Sequence, residues 1–225
     1  MNLAEIKNKL KQIKTTSFGI SVPELRKFAK QIAKNDYRCF LDSNDFSTFE
    51  LKLLHAFVIG YAKDDIGVLL NYFEKFVPYV DDWAVNDSLC QNFKIARKFQ
   101  KEVWNFILRY RQSDKEFEIR IVAVILLSHY LNDIYIDRAL ALLDILAAEN
   151  YYSQMGIAWA IATIMGKYPE KCRDYLFSNE CHLNKSTLAK TISKIKESYR
   201  VSEETKKQID NLNQINKQAR TITYG

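Results

Sequence analysis

Apolar residues recur along this chain at steps of three and four, the spacing that lines one face of a helix. Ser21-Val-Pro23-Glu24 reads as a start signal, with Ser21 capping, Pro23 in the first turn and Glu24 closing a capping box. The helix it opens runs through Leu25, Phe28, Ala29, Ile32 and Ala33. The same pattern predicts helices over about 46–61, 64–76, 83–98, 100–111, 116–131, 135–148, 151–167, 169–177 and 186–199, and a basic one over about 203–218. Breaks are expected at Asn44-Asp45, Pro78, Gln112-Ser113, Asn132-Asp133, Asn150 and Tyr168-Pro169. The linkers are short, which favours antiparallel neighbours.

A longer period overlies the helical one. Ala56, Cys90, Ala123 and Ala158 each put a small residue in the middle of an apolar helix, at steps of 34, 33 and 35. Each period holds about two helices. Small residues at one height let neighbouring helices approach closely, as in stacked helix pairs. The fold expected is all-α: a HEAT-like-repeat α-solenoid of stacked antiparallel helix pairs with a concave face. Since no Ser/Gly linker or low-complexity tract interrupts it, a single domain over 1–225 is expected.

Composition narrows the picture. Six glycines and three prolines in 225 residues are too few for the tight turns of a β-sandwich or barrel. At 48% apolar residues the chain is not disordered. The longest apolar run, Ile119 to Leu131, is broken by Arg120, Ser128 and His129, so no membrane span is expected. Charges through Met1 to Lys14 argue against a signal peptide and for a cytoplasmic location. Cys39, Cys90, Cys172 and Cys181 form no C-x-x-C and are expected as buried, reduced thiols. Cys172, Cys181 and His182 fall short of a zinc site, so no metal is expected.

The net charge of +6 is uneven: +6 over residues 1–34, +5 over 171–225 and −5 between. Basic ends would suit two phosphate-contacting rims, with Lys190, Lys194 and Lys207 as backbone contacts; ordinary solvated helix faces would give the same arithmetic. Glycine-rich phosphate loops, H-E-x-x-H and G-x-S-x-G are all absent. His129, on an apolar helix, reads as a core histidine.

The segment Asp81-Asp82-Trp83-Ala-Val-Asn86-Asp87-Ser88 stands out. Trp83 and Asp87 are four apart and share a helix face. An aromatic plate beside a carboxylate suits a cationic ligand. The competing reading makes Trp83 a core residue, Asp87 a solvated acid, and Asp82 and Ser88 mere caps. Trp159, in Gly156-Ile-Ala158-Trp159, lies two repeats later and would either face the same groove or serve as a packing residue.

Phe18-Gly19-Ile20-Ser-Val-Pro23-Glu24-Leu-Arg26, Asp82-Trp83 with Asp87-Ser88, Arg120-Ile-Val-Ala123, and Ala158-Trp159 with Tyr168-Pro169-Glu170 occur in that order. Together they resemble the DNA alkylation repair family of HEAT-like-repeat DNA glycosylases, the AlkD type, over about residues 10–200. The resemblance implies binding of duplex DNA in a concave groove and removal of N3- or N7-alkylated purines without a cofactor. It makes Asp87 the catalytic carboxylate, with Trp83, Trp159 and Arg120 against the substrate. The chain departs from that pattern in two ways. The stretch before Phe18 is a shortened N-terminus with room for one helix, and Ile121, Met155 and Ala162 stand where basic residues would grip the backbone. Two alternatives to the glycosylase therefore stay open: a non-catalytic module for damaged or branched DNA, and a protein-interaction scaffold. A monomer associated with the nucleoid when bound to DNA is expected.

Overall fold

A computed structural model describes residues 3–13 and 20–222, with side chains over 4–12 and 20–212. Phe18 and Gly19 of the opening motif lie outside the described residues. Thirteen α-helices, and no strand, are found among the described residues. By internal contacts the chain divides into two compact units, Met1–Arg109 and Tyr110–Gly225.

The first unit contains α1 (Leu3–Ile13), α2 (Val22–Lys34), α3 (Tyr37–Leu41), α4 (Phe49–Tyr61), α5 (Ile66–Phe76), α6 (Trp83–Asn92) and α7 (Gln100–Ile107). Helix α4 packs between α2 and α6, while α3, α5 and α7 form a second row. That position explains its sequence: Leu51 and every residue from Leu53 to Ile59 are buried, so it carries apolar groups all round rather than on one stripe. The close approach of α4 to α6 rests on Gly60. A Cβ there would lie 2.6 Å from the Asn92 Cβ and 2.8 Å from its carbonyl carbon.

The second unit repeats the plan. It holds α8 (Glu116–His129), α9 (Ile136–Asp144), α10 (Tyr151–Lys167), α11 (Pro169–Leu176), α12 (Lys185–Glu197) and α13 (Glu203–Ile222). Helix α10 packs between α8 and α12, with α9 and α11 against its other side. Ala56, Cys90, Ala123 and Ala158, the residues of the long period, are all fully buried and fall on α4, α6, α8 and α10. Polar contacts repeat with the same offset. In the second unit Lys167 Nζ reaches the Leu131 carbonyl, Tyr168 Oη reaches Asp133, and Lys171 reaches Asp137, pairs 34 to 36 positions apart. In the first, Arg109 and Glu74 are 35 apart. Each unit is thus an all-α stack of helix pairs, the packing of an α-solenoid.

Several boundaries differ from the pattern-based reading. Tyr37–Leu41 is helical; it is capped by the Asp36 carboxylate, which accepts from the Cys39 amide, and at five residues it is too short to show a period. The helix expected over 83–98 ends at Asn92. Phe93 turns inward, fully buried, and a 3₁₀ turn over Lys94–Arg97 follows. The break at Asn44 is a left-handed residue at φ +47°, a conformation Asn tolerates. The capping box at Ser21 does not form. Its hydroxyl donates to the Glu24 carboxylate at 2.8 Å. Of the four thiols, only Cys90 and Cys172 are buried; Cys39 is exposed and Cys181 half-buried.

Candidate functional site

In the first unit the site candidates stand on α6. Asp82 caps the helix, its carboxylate accepting from the Ala84 amide at 2.7 Å. Such a side-chain acceptor satisfies one of the amides that a helix start leaves without a partner. Trp83 is therefore the first helical residue, and Asp87 lies one turn further on. Their environments reverse the competing reading made from sequence. The indole is half open to solvent, at 50% exposure, whereas Asp87 is 8% exposed. A large apolar ring left in water while an acid is taken out of it is the opposite of what a generic amphipathic helix does. Burying a carboxylate is costly unless it is compensated, so this is not a solvated-face acid. Ser88 lies inside α6 and does not cap it. Lys52 on α4 pairs with Asp81 at 2.6 Å, just before the Asp82 cap.

In the second unit the accessible residues of α10 are Tyr151, Tyr152, Met155, Trp159, Thr163 and the last turn, a stripe at helical spacing. Trp159 is half-buried on that stripe, and the Thr163 hydroxyl donates to its carbonyl at 2.8 Å. Gly156 lets α8 approach. A Cβ there would sit 3.1 Å from the Arg120 Cγ and 3.6 Å from the Ala123 Cβ, so the arginine stem lies across the glycine. Arg120 is only 6% exposed, and its Nη1 donates to the Tyr152 carbonyl at 2.9 Å. That bond ties Arg120 to the first turn of the Trp159 helix. The Tyr152 amide donates to the Glu116 carboxylate at 2.5 Å, so both polar groups of that residue's backbone are held by α8.

Helix α12 places Lys190 and Lys194 one turn apart. Lys190 Nζ lies 5.7 Å from the centre of the Tyr151 ring and donates to Ser186 Oγ at 2.8 Å. Lys194 pairs with Glu197 at 2.6 Å, which offsets its charge. Lys207 is exposed on α13. Trp83 and Asp87 thus stand one turn apart on a helix of the first unit, and Arg120, Trp159, Lys190 and Lys194 stand on the packed helices α8, α10 and α12 of the second. What sequence reasoning passed over is Tyr151 and Tyr152, at the start of the Trp159 helix. The sequence carried no signal for them, since adjacent helical residues can both be buried, as along α4.

Among the described residues there is no group of three or more His, Cys, Asp or Glu placed to hold a metal, and no helix long and apolar enough to cross a membrane.

Stacked helix pairs whose accessible faces carry indoles, tyrosines and lysines define a helical-repeat protein with its chemistry displayed on helix faces. The model of one such family, the DNA alkylation repair enzymes, matches residues 2–195, and the chain belongs to that family. Searches among curated proteins and among solved structures return no significant match.

Proposed function

We propose that this protein is a DNA glycosylase that removes cationic N3- or N7-alkylpurines from duplex DNA, with Asp87 as the catalytic carboxylate, Trp83 against the lesion nucleotide and Trp159, on the open stripe of α10, as a further DNA-facing indole. Membership of a DNA alkylation repair family supports a repair role. The observation that carries the assignment within this chain is the inverted burial on α6, an open indole one turn from a sheltered acid.

The chemistry fits one carboxylate. An N3- or N7-alkylpurine already bears a positive charge, so it departs without a general acid. The C1′–N bond pair goes to the ring and neutralises it. The charge left on the sugar resembles the oxocarbenium state of glycosidases, and an adjacent anion lowers its energy. Water then bonds to C1′, and the proton it sheds is accepted by the carboxylate and passed to solvent. An indole face attracts the cationic ring before bond cleavage and loses that attraction once the base is neutral, which favours release. Arg120 acts by holding the first turn of α10 and so the direction of the Trp159 stripe. Lys190, Lys194 and Lys207 would contact the phosphate backbone. We place the protein in the cytoplasm, acting as a monomer.

The test is release of free 3-methyladenine or 7-methylguanine from methylated duplex DNA at stoichiometric protein and low salt. The expected result is release by wild type and loss in Asp87→Asn with DNA retention unchanged. Release no greater than a protein-free blank overturns the assignment.

One observation favours a second reading. Met155 on the α10 stripe is neutral and Lys194 is paired with Glu197, so the phosphate grip is thin. A non-catalytic module for damaged or branched DNA would bind such DNA equally well with Asp87→Asn and release no base.

A further inference from the structure

The first turn of α10 carries an aromatic corner that the proposed chemistry does not use. Tyr151 is 60% exposed and Tyr152 37% exposed. Their rings meet edge to face, with centres 5.3 Å apart at 79°. Phe117 on α8 stacks on Tyr152 at 5.6 Å and 26°, backing one side of that ring. Nothing about this corner is loose. Arg120 and Glu116 hold the Tyr152 backbone at its carbonyl and its amide. Lys190 is steadied over Tyr151 by a relay in which its ammonium donates to Ser186, and the Ser186 hydroxyl donates to Gln154 Oε1 at 2.9 Å. Gln154 in turn donates to the Ala148 carbonyl at 3.1 Å. Two large rings held in water beside a fixed ammonium form a surface whose ordering cost has been met before any ligand arrives.

We propose that the Tyr151–Tyr152 corner binds an unstacked nucleotide of the DNA substrate, its base lying on the tyrosine rings and its phosphate meeting Lys190. The inference rests on the DNA reading above, but not on base excision. A base offers a flat π-face whatever its sequence, and a single exposed nucleotide brings its own anion about one side-chain length away. An apolar partner protein would gain nothing from the lysine fixed above the ring, and a phosphate alone would gain nothing from the rings. The positive charge and the aromatic area together match a nucleotide.

The experiment measures affinity at about 50 mM salt, where phosphate contacts are weakly screened, for two duplexes of one sequence. One is fully paired and the other carries a single unpaired 2-aminopurine. Wild type, Tyr151→Ala, Tyr152→Ala, Tyr151→Phe and Lys190→Gln are compared, with circular dichroism confirming helicity of each. The expected result is a wild-type preference of about fivefold or more for the bulged duplex, quenching of 2-aminopurine emission on binding, and loss of both in the two alanine variants. Tyr151→Phe retains them, because the ring remains. Lys190→Gln weakens binding to the bulged duplex and lowers its salt dependence by about one phosphate. Equal affinity of wild type for both duplexes, or an unchanged preference in the alanine variants, overturns the corner while leaving the DNA reading standing. Retention of neither duplex overturns both and points to a protein partner.

Discussion

His55 on α4 offers the sharpest check on the packing of the first unit. Its ring lies among Phe40, Phe46 and Phe76, with centres 4.2, 4.7 and 5.8 Å away. Nδ1–H donates to the Leu51 carbonyl at 2.9 Å, and Nε2 has no hydrogen-bond partner among the described residues. Burial drives its pKa down from 6.5 to about 4, and the opposing pull of the Leu51 carbonyl and of the Asp45 charge does not offset it. The unfolded chain therefore takes up this proton between pH 6.5 and 4 while the folded chain refuses it. Stability is flat above about pH 6.5, falls as pH drops through that window, and levels off below about pH 4. The full loss is about 3 kcal/mol, of which about 2 kcal/mol is reached by pH 5. Asp45 and Asp64, held down to about 2 chiefly by Lys7 and Tyr37 respectively, shed their contribution only as pH falls from 3.8 to 2, so they do not obscure the window. The assay is urea unfolding at pH 7 and pH 5 at fixed ionic strength, on wild type and His55→Phe. Phenylalanine fits among the three rings, and the Leu51 carbonyl keeps its helical amide partner. The variant should lose about 2 kcal/mol less than wild type between the two pH values, since it carries no proton-refusing ring. Equal losses in both proteins would refute the argument.

Two further outcomes follow from close contacts. Gly60→Ala forces a Cβ into the Asn92 backbone. Overpacking of that kind should cost about 1–3 kcal/mol in denaturant unfolding. Because it pushes on the helix of Trp83 and Asp87, it should also slow base release, and an unchanged midpoint would contradict the contact. Asp144 is buried at the end of α9 and accepts from Tyr175 Oη at 2.6 Å, the His182 amide at 2.8 Å and His182 Nδ1 at 2.8 Å. Burial and this bond push the Tyr175 phenol upward. Asp144→Ala strands these donors and should lower stability by about 2–4 kcal/mol, with Tyr175→Phe costing about 1 kcal/mol; calorimetry distinguishes the two.

The longer helices and most of their breaks were legible because each carries its own period and punctuation: Asp82 before Trp83, Asn44 in its left-handed turn, Pro169 at the start of α11. The repeat was legible because close packing forbids large side chains at Ala56, Cys90, Ala123 and Ala158. Two kinds of feature were not. Side-chain direction decided Ser21, whose hydroxyl turns to the Glu24 carboxylate and caps no amide. Tertiary burial decided Asp87 and Tyr151: a charge one turn from a tryptophan and an aromatic at a helix start read alike whether they face solvent or protein. Nor did the pattern reveal the end of α6, since Phe93 and Ala96 keep an apolar rhythm after the helix has stopped.

The side chains of Lys167, Tyr168, Lys171 and Tyr175, at the far end of α10 and along α11, each bond back to the preceding repeat. Met155 and Trp159, on the open stripe, contribute no side-chain hydrogen bond among the described residues. Fastening and display are thus assigned to separate letters of the same repeat. The displayed letters are free to be rewritten over generations, altering what the protein grips, while the fastenings keep the helices in step.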